Sequence, residues 1–389
     1  MSHSKTKRFY FFDNLRTFVI LLMVAFHIAM GYTTWDLKWW YVNDSEQSPF
    51  FDLFVFTTDV YIMPIMFFIA GYFGPMVLQR KSLLSFWRGK LMRIVTPWIL
   101  GVLFLAPLIA YSAFLTRPIT APPYFEFWRT GFFGPFFQQA QYWFLGMLTA
   151  FFGLLTIVYL TAPHWLEKAP IKKKPSICFF TAFFLFTALT FWLADSFYWC
   201  DTWMPVLGGI FYLQPVRLGI HIAYFFLGAY AWKFSWFQSD GYRPQLGPWC
   251  IAALVSLIVF LCYRVVFTLM PEPPMLFRAG HGLAHAFHAL AMTFALLAVF
   301  QRFIDSNAWL WHRLSVNSYT IYFIHFFVII PIGYLLQPLT IPIAIKYLLA
   351  TSLSLSICFL LAEYLIQPIL GQLFHRKKKL ALSESSELQ

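Results

Sequence analysis

The sequence predicts an all-α polytopic membrane protein of about ten transmembrane helices, with both termini on the cytoplasmic side. Three observations carry that prediction. The 389 residues are 60% hydrophobic and only 11% charged, where a soluble chain would carry about a quarter charged residues. Apolar runs of helix length recur along the whole chain. Basic residues collect in alternate connections between those runs. A chain so poor in charge cannot cover a water-facing surface with polar side chains. Its excess of 28 Lys and Arg over 16 Asp and Glu is spread between apolar runs, which suits anionic lipid and argues against nucleic acid.

The expected spans are 15–34, 53–77, 94–114, 142–162, 176–194, 216–234, 248–269, 282–303, 315–336 and 343–367. Pro64, Pro75, Pro97 and Pro107 fall inside the second and third, which is tolerable where neighbouring helices re-satisfy the freed carbonyls. With the N-terminus inside, the inner segments hold Lys5, Lys7, Arg8, Arg80, Lys81, Arg88, Lys90, Arg93, Lys168, Lys172 to Lys174, Lys233, Arg243, Arg302, Arg313 and Arg376 to Lys379. That is about 20 of the 28, and the outer loops keep only a few, such as Lys38, Arg117 and Arg129. An even number of helices agrees. The domain reading is a cytoplasmic segment 1–14, a membrane domain 15–367, and a basic, partly disordered cytoplasmic tail 368–389. The apolar run behind the basic start is too long for a cleavable leader, so the first helix is expected to anchor the chain. The five cysteines form no CxxC pair, and no structural disulfide is expected.

The first span carries two ionisable residues, Arg16 and His27. Eleven helical steps of about 100° return His27 to nearly the face of Arg16, roughly 16 Å further along the axis. One face thus has a cation near one membrane surface and an imidazole near mid-depth. Polar groups so placed face a bundle interior or a wet cavity. A histidine satisfied by a neighbouring helix is the plainer alternative. Arg88, Lys90 and Arg93 cluster in WRGKLMRIVTPW. They follow from topology alone, or they bind phosphate. In the second span, Gly71 allows close backbone approach. Near the C-terminus, Ser318, Tyr322 and His325 share one helix side.

These pieces together resemble the acyltransferase-3 superfamily of integral-membrane acyltransferases. The resemblance rests on DNLRTFVILLMVAFH, FFIAGYF, KLMRIVTP, YWFLGML and SVNSYTIYFIH, in the family's order and near its spacing, over about residues 8–367. Within the superfamily, the opening is most similar to the succinyltransferases of periplasmic glucan synthesis. The resemblance implies transfer of an acyl group from a cytoplasmic acyl-CoA-type donor, a co-substrate and not a resident cofactor, to a hydroxyl of an envelope carbohydrate or glycan, in a bacterial-type inner membrane. Arg16 and His27 match the family's essential pair. Lys90 and Arg93 fall where the family has Arg-x-x-Arg, and the Lys lacks the bidentate fork. Ala70 stands where many members have Ser, so no hydroxyl role is assigned there.

On this reading Arg16, Arg88, Lys90 and Arg93 hold donor phosphates and His27 is the general base. Asp59 is a candidate for orienting the His27 ring. Asp13, Tyr322 and His325 are further supporting candidates. Arg217 and His221 share one face; they pair with an anionic acyl group or sugar, or with Asp195 or Asp201. His281, His285 and His288 also share a face, but with no HExxH glutamate or nearby Cys they point to hydrogen bonding or cavity lining rather than a metal. No metal site is expected. Arg264 and Glu363 need buried partners. The loop 115–141 is either a connector or the floor of an outer cavity. The competing function is a secondary transporter or flippase with a polar central path, although no inverted repeat supports it.

Overall fold

The computed structural model describes residues 8–35, 40–117, 120–169, 173–270 and 272–372. Lys5, Lys7, Lys38, Lys172 and the tail from 373, with Arg376 to Lys379, lie outside the described residues. The helices are α1 (Tyr10–Ala29), α2 (Pro49–Arg80), α3 (Leu83–Leu115), α4 (Trp143–Thr161), α5 (Ile177–Asp195), α6 (Pro215–Lys233), α7 (Leu246–Leu269), α8 (Met275–Phe303), α9 (Trp309–Ile324), α10 (Phe326–Leu336) and α11 (Ile343–Leu360, running on as a π-helical turn Leu361–Ile366). The chain is an all-α polytopic membrane protein. Among the described residues, eight helices are long and apolar enough to cross a membrane, and nine if the α9–α10 pair, bent by 68°, makes one crossing. Each expected span has a helix. Helix α6, which carries Arg217, His221 and Lys233, is not among the eight, so length and apolarity alone do not reach ten crossings.

The burial pattern separates core helices from lipid-facing ones. The most apolar windows of α1, α2 and α8 are 67%, 72% and 72% buried, against 17% for α5 and 22% for α11 and its continuation. The first three therefore form the centre, and the others offer leucine and phenylalanine to lipid. Helix α2 starts cleanly because the Ser48 hydroxyl accepts from the Phe50 N–H and Pro49 occupies the first helical turn. In α3, two π-helical turns, Leu91–Val95 and Gly101–Leu105, precede or flank Pro97 and Pro107. The extra residue per turn absorbs the missing proline N–H groups while the helix continues.

Helices α2 and α6 cross with their backbones in contact. A Cβ on Gly71 would sit 1.8 Å from the Phe225 carbonyl oxygen, and one on Gly228 would sit 2.1 Å from that of Phe68. Without a hydrophobic driving force inside lipid, such small-residue seams are what bring transmembrane helices together. This crossing places Asp59, on α2, beside Arg217, on α6.

Among the described residues, one element is a β-hairpin. Met204–Val206 pairs antiparallel with Phe211–Leu213 through a tight turn in which Gly208 and Gly209 have φ of 71° and 89°, values that suit glycine. The helical reading of the chain did not include this hairpin. Its signal is the Gly-Gly between two short β-prone runs, VL and IFYL.

Gly71→Ala must push the two helix backbones apart. The expected result is a loss of about 1–3 kcal/mol of stability or more, seen as a lower unfolding temperature of the detergent-purified protein. Gly153→Ala, whose Cβ would meet nothing within 4 Å, should leave that temperature unchanged.

Candidate active site

A cavity of about 870 Å³ lies at the end of the bundle where α1 finishes. Its lining includes His27, Asp59, Gln139, Arg217, Arg264 and Tyr322. His27 is placed there by the last turn of α1, with its ring between Trp40 and His325. His325 sits at the break between α9 and α10 and is fully buried. The two imidazoles, 298 residues apart in sequence, meet at 3.1 Å between His325 Nε2 and His27 Nδ1.

The protonation pattern of this pair follows from its neighbours. His325 Nδ1 is 2.7 Å from the Tyr322 carbonyl oxygen. A carbonyl only accepts, so His325 Nδ1 carries the proton and donates. In the neutral ring, Nε2 is then an acceptor. It takes the hydrogen bond from His27 Nδ1–H, and the remaining lone pair of His27 is on Nε2. Tyr322 is held in turn, its hydroxyl donating to the Gln141 carbonyl at 2.6 Å. The Gln141 amide and the Tyr142 hydroxyl both donate to the Phe323 carbonyl, at 3.1 and 3.0 Å. Helix α9 is thereby tied to the start of α4 on the side that carries the imidazole pair.

A second polar wall is built from α2, α6, α7 and the segment before the hairpin. Arg217 pairs with Asp59 and, at 3.2 Å, with Asp201. Arg264 pairs with Asp201 at 3.0 Å, and its other Nη donates to Cys200 Sγ at 3.2 Å. Its guanidinium lies 4.1 Å from the Phe56 ring centroid. The result is an alternating chain Asp59–Arg217–Asp201–Arg264. Burial pushes the Asp201 carboxyl up, but the guanidinium groups of Arg264 and Arg217 outweigh it and hold the group below the usual carboxylate range. The Cys200 thiol is pushed up to about 12 by burial and by Asp201, so it stays protonated and serves as a structural neighbour of Arg264 and not as a nucleophile.

The sequence-derived candidates separate into groups. His27, Asp59, Tyr322, Arg217 and His221 line the cavity, and so do His281 and His285. His325 stands directly behind His27. Asp59 does not orient the His27 ring: it is bound to Arg217, and His325 takes that place because the α9–α10 break turns it toward α1. His281, His285 and His288 stack among Phe191 and Phe260, and among the described residues no group of His, Cys, Asp or Glu is set to hold a metal ion. Arg16, Arg88, Lys90 and Arg93 are not in the lining. Arg16 lies 3.4 Å from Asp13, which also binds Arg8 at 2.7 Å. Lys90 Nζ rests 3.4 Å from the Phe152 ring centroid. Arg88 and Arg93 are exposed, and the Arg93 carbonyl accepts from the Tyr319 hydroxyl at 3.0 Å. Arg264 and Glu363 both have partners, but only one of these is buried: Arg264 binds the exposed Asp201, and Glu363 binds half-buried Arg313 at 2.9 Å and the buried Asn317. The end of the loop 115–141 reaches the cavity through Phe137 to Gln141.

A family profile described as an acyltransferase domain matches residues 9–363. The chain belongs to this acyltransferase family. It is an acyltransferase, embedded in a membrane by several apolar helices. Among curated proteins it is similar to glucans biosynthesis protein C of Escherichia coli O6:K15:H31, of E. coli O81 and of E. coli K12, in each case 24% identical over 271 residues, covering 68% of this chain and 68% of the relative. No solved structure matches the chain significantly.

The charge chain gives a pH signature. Asp201 has its carboxyl held low in the folded state, so its contribution is fully present above the ordinary carboxylate pKa and is lost as pH falls through the folded one. Asp201→Asn should lower the unfolding temperature near neutral pH. That deficit should shrink as the pH is taken below the carboxylate range, measured by thermal scans across a pH series.

Proposed function

We propose that this acyltransferase moves an acyl group from an acyl-CoA-type thioester to a hydroxyl of an envelope carbohydrate, with His27 as general base. The observation that carries the reading is the His27–His325–Tyr322 carbonyl relay on the wall of the large cavity. A base must present a lone pair within reach of the acceptor hydroxyl, and the relay leaves that lone pair on His27 Nε2. His27 takes the hydroxyl proton as the oxygen attacks the thioester carbonyl. The tetrahedral intermediate then expels the thiolate, which receives the proton back from His27. His325 keeps the ring in the required tautomer and stabilises the imidazolium formed during attack.

The carbohydrate acceptor is supported by the glucan-biosynthesis relatives and by the cavity wall, where Trp143 and Trp203 offer ring faces and Asp59, Gln139 and Arg217 offer hydrogen bonds. The donor is assigned to the opposite end of the bundle. Arg16, Arg88 and Arg93 supply phosphate-binding charge there, and Lys90 adds to the field from its seat on Phe152. From that end the rings of Tyr319, Tyr322, His325 and His27 follow one another at 6.1, 6.3 and 5.0 Å between centroids. This file runs beside the path along which a pantetheine arm would bring the thioester to His27. The distribution of Lys and Arg supports a donor end in the cytoplasm and a cavity outside; in this reading the membrane is a bacterial inner membrane and residues 15–367 are the transferase domain. Family membership favours transfer chemistry over transport.

His27→Ala should abolish acyl transfer by the purified protein, with the folded yield unchanged. His325→Phe leaves the base without its orienting partner and should lower kcat by up to about 10⁴-fold, no more than the loss of the general base itself. Near-normal transfer by His27→Ala contradicts the reading. Arg16→Gln should act differently, raising the KM for the thioester donor more than it lowers kcat, as initial rates over a donor series would resolve.

A further inference from the structure

In the connection between α1 and α2, residues 40–44 lie beside His27 and each is fastened to another part of the chain. The Trp40 carbonyl accepts from Arg117 Nη2 at 2.8 Å. The Tyr41 carbonyl accepts from the Thr116 hydroxyl, and the Tyr41 hydroxyl donates to Gln138. Val42 lies on glycine: a Cβ on Gly31 would be 2.7 Å from the Val42 carbonyl oxygen, and Gly333 faces the Val42 side chain. The Asn43 carbonyl accepts from Gln337 Nε2 at 2.9 Å. The Asp44 N–H donates to the Gly31 carbonyl at 2.9 Å. Beneath this strap the Trp40 indole lies nearly parallel to the His27 imidazole, at 7° with centroids 5.8 Å apart.

The strongest fastening is an ion pair. Lys346, from the first turn of α11, places Nζ 3.0 Å from each carboxylate oxygen of Asp44 and 3.2 Å from the Gln337 carbonyl. Lys346 is 1% exposed and Asp44 6%. A lysine and an aspartate so buried are costly unless fully paired. Here all three ammonium donors have an oxygen, and Asp44 Oδ1 also caps the Glu46 N–H at 3.0 Å. Lys346 is not among the residues that line the cavity. Its effect on the site passes through the strap.

We propose that the buried Asp44–Lys346 ion pair is a positioning device for acyl transfer: it seats the strap of residues 40–48 so that Trp40 holds the His27 ring against His325. Neither residue touches the reacting atoms. Both act by fixing the plane of the base, so their loss should fall on turnover and not on substrate affinity. The inference rests on the reading of His27 as general base.

Lys346→Met keeps the bulk of the side chain and removes its charge, leaving the Asp44 carboxylate buried alone. The full-length protein, purified in detergent, should lose kcat by about 10- to 100-fold, the scale of a small misplacement of a catalytic group, with the donor KM within about 2-fold of wild type. The neutral pair Asp44→Asn with Lys346→Met should recover most of that loss. Trp40→Leu, which leaves the ion pair intact, should reproduce it, and this variant carries the test where Lys346→Met fails to fold. A second readout is the rate of carbethoxylation of His27 by diethylpyrocarbonate, followed by peptide mass spectrometry with exposed His164 as internal control. That rate should rise several-fold in Lys346→Met and in Trp40→Leu. Folded Lys346→Met or Trp40→Leu with wild-type kcat, or with an unchanged His27 modification rate, overturns the proposal. An active His27→Ala protein would instead sink the general-base reading, while an accelerated His27 modification would still uphold the strap.

Discussion

An imidazole inside a membrane protein needs a partner for its N–H, and the whole site depends on how that need is met. His27 donates to a second histidine, and the second histidine donates to a carbonyl that can do nothing but accept. The chain of donors therefore has one direction, ending with a lone pair on His27 Nε2. Three structural features serve this single arrangement. The 68° break between α9 and α10 turns His325 toward α1. The ties from Gln141 and Tyr142 to the Phe323 carbonyl, and from Tyr322 to the Gln141 carbonyl, fix the end of α9 against α4. The strap held by Lys346 sets Trp40 nearly parallel to the His27 ring, with centroids 5.8 Å apart.

The opposite wall of the cavity follows a different rule. Asp59, Arg217, Asp201 and Arg264 alternate in sign, so every charge is shared and the wall adds no net charge to the cavity. The glycine seam between α2 and α6 positions this wall, and the hairpin joins it to the other one, since the Tyr212 N–H donates to Gln139 at 3.2 Å, just before the segment that holds Tyr322. The two walls face one space, which suits a reaction in which one wall supplies a base and the other hydrogen-bonds a polyhydroxyl acceptor.

Much of this was legible in the sequence where periodicity carries information. Arg16 and His27 declare a shared helix face by spacing alone. Gly71 signals a close helix contact, and Arg264 and Glu363 declare partners because isolated charges do not persist in such surroundings, although the Arg264 partner, Asp201, is exposed. Contacts between distant segments were not legible. His27 and His325 are 298 residues apart, and Asp44 and Lys346 are 302 apart, so no local period links them. As a carboxylate in an early span, Asp59 is a candidate partner for His27 on sequence alone; the α2–α6 crossing commits it to Arg217 instead. Asp44 reads as an ordinary loop residue, and Lys346 as a charge at the start of a span, until the fold brings them together. The hairpin escaped because two three-residue strands carry too little alternation to register, and only its Gly-Gly turn announced it.

The central claim is that the relay leaves the His27 lone pair on Nε2. Nitrogen-15 NMR of histidine-labelled protein, with His27 assigned by its loss in a His27→Gln variant, reports directly which ring nitrogen of the neutral form carries hydrogen. The predicted result is a protonated Nδ1 and a bare Nε2 on His27, with the same tautomer on His325. A neutral His27 with hydrogen on Nε2 would contradict the account.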